Sequence, residues 1–216
     1  VRDAFEHYVA LRKRGMREYA AMGTLSRLIS DLLRRDLPFS EDDLVIIAVN
    51  PQGTEIARYS KMQPFSLGGE AKAYSAGEDV VIFDWEGLKV APFVCYDLRF
   101  PEVFRRAVRK GAEMFAVIAN WPVKRIGHWV TLLQTRAIEN LAFVAGTNRC
   151  GIDPKLQYNG RSVIVNEHGA VLADADDGQK VISADVDPAA IRQWRTDFPA
   201  LSMLADIAAR PALREE

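Results

Sequence analysis

From Arg2 to about Arg35 the apolar residues recur at helical spacing, as at Phe5 and Val9 and then at Leu25, Leu28, Ile29, Leu32 and Leu33, with arginines and acids between them. That period predicts two helical pieces broken near Gly23. The polar stretch "RRDLPFSEDD" follows as a connector. In "LVIIAVNPQGTEIARYS" the pattern changes to two strands around a turn, with Pro51 suited to the second turn position and Gly53 to the fourth. "SKMQPFSLGGEAKAYSAGED" keeps no period and holds Pro64, Gly68, Gly69 and Gly77, so a long loop is expected, the kind that lines functional sites. "VVIFDWEGLKVAPFVC" predicts two strands turning at Glu86-Gly87, and "PEVFRRAVRKGA" a helix opened by Pro101 and stopped by Gly111. A strand "MFAVIANWP", an amphipathic helix "GHWVTLLQTRAIENL" and a strand "AFVAGTNR" complete a β-α-β-α-β run. After it, "GRSVIVNEHGAVLADA" and "KVISADVD" read as an antiparallel meander, and "PAAIRQWRTDF" as a short final helix with a polar tail. The alternation makes this an α/β chain.

Composition narrows the function classes. A chain of 216 residues, 49% hydrophobic and 26% charged, is expected to form one globular domain with a substantial core. A net charge of -1 gives no electrostatic footprint for nucleic acid or an anionic membrane surface, so the expected partner is a small molecule. No apolar run approaches the roughly 18 residues of a membrane span, and the opening "VRDAFEHYVALRKRG" does not read as a signal peptide. Two cysteines, Cys95 and Cys150, are too few for a disulfide framework and show no zinc spacing, which fits a reducing, cytoplasmic setting. No metal and no cofactor are expected.

Chemistry enters at "VAPFVCYDLRFPE". A cysteine usually lies inside an apolar run as a small hydrophobe, but Cys95 stands at its exit, before a charged turn closed by Pro101. A strand that reverses sharply there would present the sulfur above a sheet, as a serine nucleophile elbow does. A free thiol is only about 3% ionised at neutral pH, so a cation is needed nearby. "CYDLRFPE" resembles the nucleophile motif of the nitrilase superfamily, the carbon-nitrogen hydrolases. "RYSKMQPF" is similar to that family's lysine segment and marks Lys61; "GGEAKAYSAGE" is similar to its downstream glutamate loop and marks Glu70. "VIANWP", "TRAIENLAFVAGTNR" and "YNGRSVIVNEHGAVL" resemble the same family, and more narrowly its omega-amidase branch, over about Leu44 to Phe198.

The resemblance implies an α-β-β-α sandwich and a Glu-Lys-Cys amidase mechanism. An ammonium about 4 Å from a thiolate gains on the order of 4 kcal/mol at an effective dielectric near 20, so Lys61 is expected to hold the Cys95 sulfur as an anion. Lys61 and the backbone N–H of Tyr96 are the expected donors to the oxyanion formed on attack. Glu70 carries over as the family's second, supporting glutamate. The family's acid/base glutamate stands in a Pro-Glu pair on an N-terminal strand, whereas here the only Pro-Glu is Pro101-Glu102. Glu6, Glu18 and Glu41 lack that context, so the chain is expected to lack the first strand or to have a rearranged 1–43 segment.

Other candidates keep two accounts. Trp121, beside Asn120 at a strand end, reads as a pocket wall or a core aromatic. Arg99 reads as a contact for a substrate carboxylate or as a tie from the elbow to an acid. Arg136, Glu139 and Asn140 share a helix and read as a structural network, Arg136 and Glu139 being i, i+3 neighbours. Cys150 reads as structural, His128 as a helix-surface or interface residue, and His7 and His168 carry no signal. The expected function is hydrolysis of a small carboxylic acid amide such as alpha-ketoglutaramate through a cysteine thioester, in a homodimer. The competing expectation is an inactive family member acting as a binding or assembly subunit, and a thiol redox role would require Cys150 to pair with Cys95.

Overall fold

The computed structural model describes residues 44–204, and the helices expected before Leu44, with Glu6, His7, Glu18 and Glu41, lie outside the described residues. Strands β1 (Val45–Val49) and β2 (Glu55–Ser60) form the expected antiparallel hairpin. Gly53 N–H donates to the Asn50 carbonyl at 2.9 Å, which puts Pro51 and Gly53 in their expected turn positions. The long loop that follows is more ordered than the pattern suggests, since a 3-10 turn (Ser66–Gly68) leads into a one-turn helix α1 (Glu70–Ala73). Such short pieces show no period in a sequence window.

Next come β3 (Phe83–Trp85) and β4 (Leu88–Val94), joined by Glu86 and Gly87 with φ of 51° and 83°. Two positive φ values are what a tight hairpin of this twist requires. A 3-10 segment (Cys95–Arg99) then feeds α2 (Pro101–Arg109). The chain continues through β5 (Met114–Ala119), α3 (Ile126–Asn140) and β6 (Phe143–Asn148). A small hairpin, β7 (Cys150–Ile152) and β8 (Gln157–Asn159), was not signalled, because "CGIDPKLQYN" neither alternates nor concentrates β-formers. Last are β9 (Val163–Val165), β10 (Val171–Asp174) and α4 (Pro188–Asp197).

Six strands make one mixed sheet in the order β10-β9-β6-β5-β4-β3, with β4, β5 and β6 parallel. Parallel neighbours need a crossover connection, and α2 and α3 lie in the two connections here. One face carries Phe93, Phe115, Val117, Val144, Val163 and Val165 against Phe104 of α2 and Trp129 and Leu133 of α3, all in one buried cluster. Phe104 centres it, with ring centroids 4.1 Å from Phe93 and 5.0 Å from Phe115. Each such side chain contributes about 1.5–3 kcal/mol by leaving water. On the other face Leu88, Val90, Met114 and Phe143 pack against Ile191 of α4. Arg192 pins that helix by a 2.7 Å pair with Glu113, and Arg195 by donating to the carbonyls of Ala112 and Leu141.

Of a second sheet, the described residues supply the β1–β2 hairpin, whose Tyr59 and Ile46 join the helix-side core. The expected strand in "KVISADVD" does not form among the described residues. A strand exists by pairing, and no described strand lies alongside this segment to take its backbone groups.

Gly146 shows how tightly α3 is seated. A Cβ there would lie 2.4 Å from Leu133 Cδ1 and 2.9 Å from Trp129 Cζ2. Gly146→Ala is therefore expected to push α3 off β6 and to destabilise the fold by about 1–3 kcal/mol, read as a lower midpoint in urea unfolding. An unchanged midpoint would show that the layer is looser than this packing requires.

Candidate active site

The carboxyl ends of parallel strands are where an open α/β sheet leaves a crevice. Here β4, β5 and β6 run on into Cys95, Asn120 and Arg149. Cys95 has φ of 45°, a left-handed conformation unusual for a residue with a side chain. The strand can enter the 3-10 segment only by this reversal, which is the strained elbow the sequence suggests. Surrounding bonds hold it in place. Val94 N–H donates to Asp97 Oδ2 at 2.9 Å, and Arg136 of α3 donates to the Leu98 carbonyl at 2.8 Å. Arg136 also pairs with Glu139 at 2.9 Å and lies over the Phe104 ring, so the structural account of this helix network holds.

Lys61 follows β2 directly and is 1% exposed. Its N–H donates to the Leu44 carbonyl and its carbonyl accepts from Gly77, each at 2.8 Å. Gly77 is required at that contact, because a Cβ would lie 2.2 Å from the Ser60 carbonyl oxygen. The Lys61 ammonium sits 2.5 Å from Glu70 Oε2, which also accepts from the Phe65 N–H at 2.7 Å. Glu70 reaches this position because Gly69, in the left-handed region at φ 85°, turns the chain into α1. A buried ammonium without a partner would be costly, and Glu70 removes that cost.

Burial raises the Cys95 thiol above its ordinary value; the Lys61 charge and the Asn120 backbone N–H oppose this, while the Glu70 and Asp97 carboxylates add to it. Lys61 therefore acts on the sulfur in the direction that favours the anion, against the desolvation that disfavours it.

The remaining predicted residues separate. The Tyr96 ring fills the space between Phe65 and Phe100, at centroid distances of 4.8 and 5.2 Å. Trp121 is 3% exposed, donates its indole N–H to the Arg125 carbonyl at 2.8 Å and leans on Trp129, so it is a core aromatic with one face under the site. Arg99 lies over that face, 4.9 Å from the ring centroid, with Nη2 3.3 Å from Nδ1 of the exposed His128. Among the described residues no carboxylate pairs with Arg99, whose partners there are the Trp121 ring and His128. Cys150 points its sulfur at the Gly178 carbonyl, 2.8 Å away, and both cysteines are free thiols.

Three residues at the site carry no signal in the sequence pattern. Asp97 is fully buried and accepts from Tyr59 Oη at 2.8 Å and from Gln63 N–H at 2.8 Å besides Val94. Asn148 bridges Trp121 and Gly160, accepting from the Trp121 N–H at 2.7 Å and donating to both carbonyls. Tyr158 of β8 faces the site closely enough for Cys95 to act on its hydroxyl, which bonds Asp153 at 2.7 Å. Asp97 stands two residues past the cysteine in the quoted motif, but only the folded chain shows what it holds.

Comparison with known proteins agrees with this geometry. The carbon-nitrogen hydrolase family profile matches residues 44–196. The chain is 41% identical to the omega-amidase YafV of Yersinia enterocolitica over 156 residues, covering 71% of this chain and 60% of that protein. It is 36% identical to the 2-oxoglutaramate amidase of Bacillus subtilis, covering 68% of this chain and 57% of the relative. It therefore spans less than two thirds of the length of either. Among solved structures, XC1258 from Xanthomonas campestris, a CN-hydrolase superfamily protein with an arsenic adduct in its active site, superposes with a TM-score of 0.72 at 31% identity, covering 83% of this chain and 68% of that one. The α/β architecture, the cysteine elbow facing a buried lysine paired with a glutamate, and a profile match across most of its length place this chain in the carbon-nitrogen hydrolase family.

Proposed function

We propose that the site is that of a cysteine amidase releasing ammonia from the terminal amide of a small dicarboxylic acid monoamide, of the alpha-ketoglutaramate type. The observation that carries this reading is Cys95 at a left-handed chain reversal, within the field of the buried Lys61 and its partner Glu70. The substrate class is supported by the names of the two amidase relatives and by Arg99, a guanidinium at the elbow with no carboxylate partner among the described residues. An arsenic adduct in a relative's active site is the chemistry a soft thiolate would give.

The reaction follows from these groups. The sulfur bonds to the amide carbon, the thiol proton passes to a carboxylate, and the carbonyl electrons move onto oxygen. Lys61 and the Tyr96 backbone N–H stabilise that oxyanion. When the C–N bond breaks, the proton moves to nitrogen, ammonia leaves and a thioester remains; water then adds, restoring the thiol and releasing a carboxylate. The thiol proton needs an acceptor. Glu70, partly exposed and bonded to Lys61, is the described carboxylate we assign to support that transfer, because Asp97 has both oxygens engaged.

The test is ammonia release from alpha-ketoglutaramate and succinamate beside butyramide, which has no distal carboxylate. Faster turnover of the two acidic amides, with Arg99→Met raising their KM about tenfold or more and leaving that of butyramide unchanged, is expected from loss of a charge-assisted contact. No ammonia from any amide at any pH would overturn the reading and leave the chain an inactive, binding member of its family.

A further inference from the structure

We infer that Asp97 is a positioning residue that ties the lysine segment to the cysteine elbow. This rests on reading Cys95 as the nucleophile, and is independent of the substrate. Two separate stretches of chain meet at one fully buried carboxylate. From the elbow side, Val94 N–H reaches Oδ2 at 2.9 Å. From the lysine side, Tyr59 Oη reaches the same oxygen and Gln63 N–H reaches Oδ1, both at 2.8 Å. Tyr59 and Gln63 are the residues two before and two after Lys61, so the lysine backbone is held at both flanks by the side chain that caps the turn beginning at Cys95. The Tyr59 hydroxyl also accepts from the Met62 N–H at 3.4 Å.

The Val94 N–H, the Tyr59 hydroxyl and the Gln63 N–H all donate to Asp97, so both of its oxygens serve as acceptors. Burial raises the Asp97 carboxyl above its ordinary value, and the bonds from Val94, Tyr59 and Gln63 and the Lys61 charge oppose that rise. An amide at this position can keep the bonds at one oxygen only by turning its NH₂ toward the other donor. With the Val94 and Tyr59 bonds kept, Gln63 faces a second donor and the lysine segment loses one of its two tethers, the one on the far side of Lys61 from Tyr59.

The ionisable and polar groups that act on Cys95 are Lys61, Glu70, Asp97 and the Asn120 N–H, and Cys95 in turn acts on the Tyr158 hydroxyl of β8. Asp97 works on the sulfur in two opposed ways: directly its charge disfavours the thiolate, while through Lys61 it favours it. Of the two, the Lys61 influence is larger and the Asp97 charge is the smallest contributor. The pH dependence of Cys95 alkylation by iodoacetamide separates them, in a Cys150→Ser background so that one thiol remains.

Asp97→Asn is expected to raise the alkylation midpoint by about one pH unit, a roughly tenfold slower reaction at neutral pH, because Lys61 is released. In a Lys61→Met background the same substitution is expected to lower the midpoint slightly, since only a negative charge is then removed. A drop in kcat of about 10²-fold with KM nearly unchanged should accompany the first result, as for a displaced catalytic group. Should Asp97→Asn fail to fold by thermal unfolding, Tyr59→Phe removes one donor and no charge, and is expected to raise the midpoint by less. A midpoint that falls or stays put with Lys61 present, or that moves alike in both backgrounds, would overturn the proposal. Alkylation needs no turnover, so this failure is distinct from a failure to find the substrate.

Discussion

Cys95→Ala is expected to reduce ammonia release by at least about 10³-fold while leaving the folded state intact, because removal of a covalent nucleophile eliminates the thioester route. Truncating this half-buried residue at the edge of the core costs little packing. Mass spectrometry should show an acyl adduct on the unsubstituted chain, carried by the peptide containing Cys95, and none on the variant. The pH dependence of the thiol gives a second check with a definite sign. Burial disfavours the anion, so alkylation of Cys95 should have its midpoint above that of a free thiol and should slow as pH falls toward neutrality. A midpoint well below the free-thiol value would mean that Lys61 outweighs desolvation, contrary to the arrangement of charges described here. Turnover that survives Cys95→Ala would remove the cysteine mechanism altogether.

Lys61→Met is expected to lower kcat by about 10²–10³-fold, the usual effect of losing one oxyanion donor, and to raise the Cys95 alkylation midpoint further. Methionine matches the lysine stem in length, so the buried channel stays filled. Glu70 keeps its bond from the Phe65 N–H and keeps some contact with solvent, so the loss of its ammonium partner is tolerated. The urea midpoint should therefore change little while activity falls steeply. The opposite result, a large loss of stability with activity per folded molecule retained, would make Lys61 a structural ion pair. Lys61→Arg should not rescue the rate, because a planar guanidinium cannot occupy the space of a compact ammonium in a site this closed.

Much of this layout is legible in the linear chain because it rests on local rules. The β1–β2 hairpin follows from Pro51 and Gly53, the β3–β4 turn from Glu86-Gly87, and α2 from Pro101 at its start and Gly111 after its end; each depends on backbone preferences of a few consecutive residues. The parallel core follows from apolar runs alternating with amphipathic ones. Cys95 could be singled out because its placement at the exit of such a run is itself a local anomaly.

Where the sequence misleads, a non-local partner decides. "KVISADVD" has a strand's composition, but among the described residues it has no neighbour to pair with. Arg99 offered a choice that only the Trp121 face and the absence of a paired acid among the described residues could narrow. For the same reason, a spacing between Lys61 and Cys95 carries no information about how much water either has lost.

Read alone, the sequence determined the β-α-β-α-β run from β4 to β6, the reversal at Cys95 and the residue types assembled for carbon-nitrogen chemistry, since neighbouring residues restrict one another directly through backbone sterics and hydrophobic period. Tertiary structure alone decided that Lys61 is sealed from solvent against Glu70, that burial raises the Cys95 thiol, and that Asp97 joins the two segments. Desolvation and hydrogen-bond satisfaction are properties of an enclosed volume, and no stretch of chain contains that volume until distant stretches have closed around it.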